Sequence, residues 1–170
     1  LTNAGMENNN SALHNLQQHS QEIINSLRDT IWVLNKEHIT ITGISDRIKN
    51  YINKLQPTYA HIQFHIHENI MNDIHISSQN ALNIFRILQE AIHNALKHSD
   101  AKNINVDIYS EKNIVLKIED DGKGMNNINN EEGNGLLNMH ARAKEIGMVL
   151  SISSTPTKGT ILILENRTTN

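Results

Sequence analysis

The chain has 170 residues, enough for one domain with a substantial buried core, alone or with an appendage. A formal net charge of -3 and a pI near 6.4 leave no basic footprint for nucleic acid, so no nucleic-acid partner is expected. The absence of cysteine excludes disulfides and thiolate chemistry.

Residues 1–10 are polar and aperiodic and read as a disordered end or a tag. Residues 11–34 predict a long helix, because Leu13, Leu16, Ser20, Ile23, Leu27, Ile31 and Leu34 recur at alternating gaps of three and four. That stripe suits a coiled coil or bundle, or a single amphipathic helix packed on its own domain, with Trp32 as an anchor. Gly43 and Ser45 introduce a second helix over 44–55, closed by Pro57. Residues 61–70 alternate, with Ile62, Phe64 and Ile66 on one face of a strand and Gln63, His65 and His67 on the other. Ser77 or Ser78 can cap a helix running to about His98, with Leu82, Phe85, Leu88, Ile92 and Leu96 buried. Two strands follow, through Ile104, Val106 and Ile108 and through Ile114, Leu116 and Ile118, joined as a hairpin. A polar loop over 125–134 leads to a helix over 136–146 that Gly147 ends, then to strands over 148–154 and 160–164. This order predicts an α+β fold, a two-layer α/β sandwich whose mixed sheet is covered on one face by helices, with a long amino-terminal helix. No apolar run approaches the ~20 residues of a membrane span, and no signal peptide is visible.

Three pieces carry chemistry. On the long helix Glu90, Asn94 and Lys97 share a face, with His98 one position further round. An amide oxygen suits a hard Mg²⁺ ion, a lysine suits phosphate charge, and a carboxylate can hold a metal-bound water or accept a proton. The same residues also make an ordinary solvated helix face. In Glu119-Asp120-Asp121-Gly122-Lys123-Gly124-Met125 the strand alternation points Asp120 inward, where a carboxylate needs a donor such as the exocyclic amine of adenine. Gly122 and Gly124 remove side chains where backbone approaches a flat ring, although Asp and Gly also make common strand-end turns. Gly133-Asn134-Gly135-Leu136 opens the next helix, whose free N–H groups can hold phosphate oxygens. The loop between the glycine pairs is long enough to close as a lid. Together the three make a site for a purine nucleotide and its metal-bound phosphates.

These stretches resemble a family. LQEAIHNALKHS looks like the N box of sensor histidine kinases, DDGKGM their first glycine box, GNGLLNMHARA their second, and TKGTILIL their closing Gly-Thr strand. The group is the GHKL ATPases with their Bergerat-type ATP-binding fold, and QEAIHN and GLLNMHARA are most similar to the nitrate-sensor-like kinases. The resemblance spans roughly residues 62–164, and extends more loosely to SLRDTIWVLNKE, which looks like the end of a second dimerisation helix. It implies ATP and Mg²⁺ as cofactors, Asn94 as the metal ligand and Glu90 as the catalytic acid/base or polarising group. Lys97 and His98 would approach the phosphates and Asp120 would accept from the adenine amine. Gly122, Gly124 and Met125 would shape the ring's pocket, Gly133, Gly135 and Leu136 would line the phosphate end, and Thr160 would support Asp120. Arg142 is similar to a basic residue that recurs in this helix.

The resemblance further implies transfer of the γ-phosphate to a histidine on an upstream dimerisation helix, relay to a response regulator, a homodimer in the full-length protein, and a cytoplasmic domain whose parent is membrane-bound or soluble. The family's acceptor histidine is followed directly by an acid. Here His14 precedes Asn15 and His19 precedes Ser20, so neither fits, and the acceptor is expected on a helix absent from this chain. The expected organisation is a dimerisation remnant and connecting helix over 11–56, a catalytic domain over 57–165 and a tail over 166–170. The competing reading is a GHKL module that binds ATP for a conformational or partner-regulating role, including an anti-sigma-type serine kinase; the coiled-coil stripe favours the histidine kinase. His65 and His67 share a strand face and two metal ligands can converge there, but without a cysteine or a clear third ligand an exposed strand face accounts for them better.

Overall fold

A computed structural model describes residues 38–124 and 134–166, with Ser20, Ile24, Leu27, Arg28, Ile31 and Trp32 of the amino-terminal segment. The chain divides into two compact units, Leu1–Glu37 and His38–Asn170. In the first, the described residues are helical, and Ile24, Leu27 and Ile31 are exposed. His14 and His19 lie outside the described residues.

The second unit begins with β1 (His38–Thr40) and α1 (Ile41–Leu55), followed by β2 (Gln63–Ile70), β3 (His75–Ser77) and α2 (Ser78–His98). The hairpin β4 (Asn103–Ser110) and β5 (Ile114–Asp120) comes next, then α3 (Asn134–Glu145), β6 (Val149–Thr155) and β7 (Gly159–Glu165). Five strands form one mixed sheet in the order β2-β4-β5-β7-β6. Only the β2–β4 pair is parallel, and α2 lies in the crossover between its two strands.

The alternation of the strands decides which face is covered. Ile104, Val106 and Ile108 of β4, Ile114, Leu116 and Ile118 of β5, and Leu162 and Leu164 of β7 are buried. They share the core with Ile41, Ile44 and Ile48 of α1, with Ile84, Phe85, Leu88 and Ile92 of α2, and with Met139 and Ala143 of α3. Burying one such aliphatic side chain is worth about 1.5–3 kcal/mol, so this layer carries much of the fold. The opposite face presents Asp107, Lys117 and Glu119, with Lys117 paired to both carboxylates.

Four details differ from the sequence reading. The helix α1 starts three residues earlier than expected and is capped by the Thr40 hydroxyl, which accepts from Gly43 N–H at 3.2 Å. Ser45, expected near that start, is fully buried and donates to Glu68 of β2. Three-residue strands show no periodicity, so the β1–β3 pair was not legible; it lies next to Ser77, which caps α2. On α2, Leu82 and Leu96 are only half-buried, while Ala81, Ile84, Ile87, Ala91 and Ala95 are buried. That helix packs against β5 as well as against α1 and α3, so its buried stripe is wider than the strip of large residues suggests.

Candidate nucleotide-binding site

A cleft opens between the last turns of α2, the first turns of α3 and the inner ends of β5, β6 and β7. The space between these elements, open mouth included, is about 660 Å³. Asn94, His98, Asp120, Gly124, Leu136 and Thr160 all line it, so six of the expected residues converge. Ala91, Ala95, Ser99, Ile118, Lys123, Met139, Ile152 and Leu162 line it as well.

Asp120 ends β5 at the bottom of the cleft and is 4% exposed. Its Oδ1 accepts from Gly122 N–H at 3.0 Å. Burial pushes its carboxyl above the ordinary aspartate range, and the backbone N–H groups of Gly122 and Thr160 only partly oppose this. A carboxylate held in this way favours a ligand that brings its own donor. Thr160 stands directly opposite Asp120 in the β5–β7 register, and its hydroxyl is 3.0 Å from that of Ser154.

The neighbouring Asp121 does different work. Its Oδ1 accepts from Lys102 and Asn103 N–H at 2.8 and 2.9 Å, and its Oδ2 from Asn103 Nδ2 at 2.7 Å. Burial works against its charge, but these bonds outweigh that and hold its carboxyl below the usual range. Asp121 therefore staples the β5 end to the start of β4, and Asp120 alone faces the ligand space.

Close approach explains two of the glycines. A Cβ on Gly122 would overlap the Ser99 carbonyl oxygen at the end of α2, and a Cβ on Gly135 would overlap Glu90 Oε1. Glu90 and Gly135 thus meet where α2 and α3 approach one another, beside the cleft wall. Gly124 adopts φ 66°, a left-handed conformation that favours glycine. Lys97 is exposed and does not line the cleft. Met125 and Gly133 lie outside the described residues, as does the proposed lid over 125–134 except for Asn134, which opens α3.

Sequence reasoning missed Ser99 and Lys123. Ser99 is buried, donates to the Ala95 carbonyl at 2.6 Å and accepts from Ala101 N–H at 3.1 Å. Its own carbonyl accepts from Lys123 N–H at 2.7 Å, tying the end of α2 to the glycine turn. The Lys123 side chain pairs with Asp100 at 2.8 Å. Ile118 and Leu162 were within reach of the alternation rule, each two residues from a site residue on its strand.

Fold and cleft together define an ATP-binding domain of the two-layer kind. The model of the histidine kinase-, DNA gyrase B-, and HSP90-like ATPase family matches residues 79–169, more than half of the chain. The chain belongs to that family. It is 43% identical over 79 residues to the sensor protein VraS of Staphylococcus haemolyticus, a stretch that covers 45% of this chain and 23% of that protein. The same figures hold for VraS of Staphylococcus aureus strain COL. The chain therefore matches under a quarter of the length of these curated relatives. Among solved structures, the Acinetobacter baumannii histidine kinase AdeS aligns over 94% of this chain and 84% of its own, with TM-score 0.67 and 18% identity. The histidine kinase domain of the Erythrobacter litoralis EL346 blue-light activated kinase aligns over 77% and 68%, with TM-score 0.59 and 19% identity. At those identities the likeness concerns the fold.

Proposed function

We propose that this chain is the catalytic portion of a two-component sensor histidine kinase, which binds Mg²⁺-ATP and transfers the γ-phosphoryl group to a histidine on a dimerisation helix for relay to a response regulator. The observation that carries the reading is the buried Asp120 at the end of an apolar cleft that also holds Asn94 on its helical wall. The adenine amine satisfies the Asp120 carboxylate, and the turn at Gly122 and Gly124 lies along the ring. Ile118, Ile152 and Leu162 keep water from its faces. Leu136 and the start of α3 border the phosphate end, with His98 on the opposite wall. Glu90, beside Gly135, orients the incoming imidazole and takes its proton as the new N–P bond forms and ADP leaves.

The donor set fits magnesium. Among the described residues no group of three or more His, Asp or Glu can hold a metal. The amide oxygen of Asn94 is a hard donor on the cleft wall, as expected of an ion held mainly by nucleotide phosphates and water. Such an ion would neutralise charge on the triphosphate during transfer. In this reading the first unit belongs to a dimerisation region, the full-length protein is a homodimer, and the domain works in the cytoplasm. Among the described residues no helix is long and apolar enough to cross a membrane.

Calorimetry tests the reading directly. ATP with Mg²⁺ should bind, and GTP much more weakly, because its six-position presents an acceptor to Asp120 instead of a donor. Equal affinity for the two would remove Asp120 from the base-reading role. Asn94→Ala should cost more affinity with Mg²⁺ than without it.

A further inference from the structure

Outside the cleft wall, one buried polar side chain joins α2 to α3. Asn83, on the second turn of α2, is 2% exposed. Its Oδ1 accepts from Arg142 Nη1 at 3.1 Å, and its Nδ2 donates to Glu145 Oε2 at 3.2 Å. The orientation of the amide is fixed by its partners, since a guanidinium only donates and a carboxylate only accepts. Both partners stand at the far end of α3 from the cleft.

Seven residues, about two helical turns, separate Asn83 from Glu90 on α2, and seven separate Gly135 from Arg142 on α3. The two helices run antiparallel, with Asn83 against Arg142 at one end and Glu90 against Gly135 at the other. Between these ends Ile87 and Met139 are buried, and apolar contacts alone tolerate sliding. A paired donor and acceptor at one end do not.

We propose that Asn83 is a positioning residue that fixes the register of α3 on α2, and through it the placement of Gly135, Leu136 and Met139 at the phosphate end of the cleft. The inference rests on the nucleotide-binding reading given above. The residue touches neither base nor phosphate. It acts by holding one end of a helix whose other end meets the nucleotide.

The test compares ATP with AMP, and adds an exchange of hydrogen-bond polarity. Asn83→Ala in the 170-residue chain should weaken ATP about tenfold, as for other residues that couple through a rigid element, and leave AMP affinity unchanged, since Asp120 and Thr160 belong to the sheet. Asn83→Asp should weaken ATP likewise, because it sets a carboxylate against Glu145. Adding Glu145→Gln to Asn83→Asp supplies a donor again and should restore ATP affinity to within about twofold. Amide exchange at residues 135–139, read without nucleotide, should rise in Asn83→Ala and return in the double variant. ATP affinity unchanged in Asn83→Ala, ATP and AMP weakened in equal proportion, or a double variant as weak as Asn83→Asp would each overturn the inference. So would unchanged exchange at 135–139, whatever ATP does. Failure of the unsubstituted chain to bind ATP would overturn the nucleotide reading itself.

Discussion

Asp120 combines two demands that conflict. Burial raises its pKa, so the folded chain holds that proton more readily than the unfolded chain. The associated stability is complete below the unfolded pKa and is lost as pH rises through the folded-state value. Asp120→Asn has no charge to bury. It should melt at a higher temperature than the parent chain near neutral pH, and the gap should close as pH is lowered. Glu68, Asp73, Asp100 and Asp121 shift the opposite way and lose stability as pH falls, but they do so in both proteins. The difference between the two melting curves therefore isolates Asp120, and a gap constant from about pH 7 to about pH 4, a range wide enough to include ordinary carboxylates, would show that this carboxyl is not the titrating group. The same substitution should cost ATP binding about 1.5–3 kcal/mol, the worth of a hydrogen bond to a charged group. A variant that is more stable and binds less is the signature of a site that stores unfavourable burial for its ligand.

The elements approach one another closely at two glycines, and the atom on the other side decides what a methyl group does there. At Gly122 the obstacle is backbone, the Ser99 carbonyl that also receives Lys123 N–H. Gly122→Ala should therefore destabilise the domain by about 1–3 kcal/mol, measured by denaturant unfolding, as expected for enforced backbone strain. At Gly135 the obstacle is the carboxylate of Glu90, the movable end of a side chain, and the position lies in the first turn of α3. Gly135→Ala should keep the fold, gaining up to about 1 kcal/mol from helix propensity, while displacing Glu90. In a longer protein that carries an acceptor histidine, this variant should bind ATP yet transfer phosphate more slowly, as should Glu90→Gln. A normal single-turnover rate in both would remove Glu90 from the chemistry.

At the scale of the whole chain, every described residue lining the cleft lies in the unit that begins at His38. A chain starting there keeps every described lining residue and should bind ATP with an affinity within about twofold of the 170-residue chain. A much larger loss in calorimetry would mean that the first unit completes the site. His14→Gln and His19→Gln should likewise leave ATP affinity unchanged. Long periodic stretches of the fold were legible because their side chains report a face: β4, β5 and α2 appear where their alternation or helical spacing placed them. The β1–β3 pair was not, since three residues carry no period. In the site, Asp120 was readable as inward-facing from the alternation of Ile114, Leu116 and Ile118. Asp121, chemically identical, was not separable as a staple, because its partners Lys102 and Asn103 arrive from the start of another strand. Local pattern thus determined the elements, their faces and the kinds of chemistry available, since those depend on neighbours along the chain. Which residues meet was decided only by the antiparallel docking of α2 on α3 and by the strand order of the sheet. Long-range contacts depend on how whole faces pack, so Asn83 could not be matched to Arg142, nor Gly135 to Glu90, before those faces were brought together.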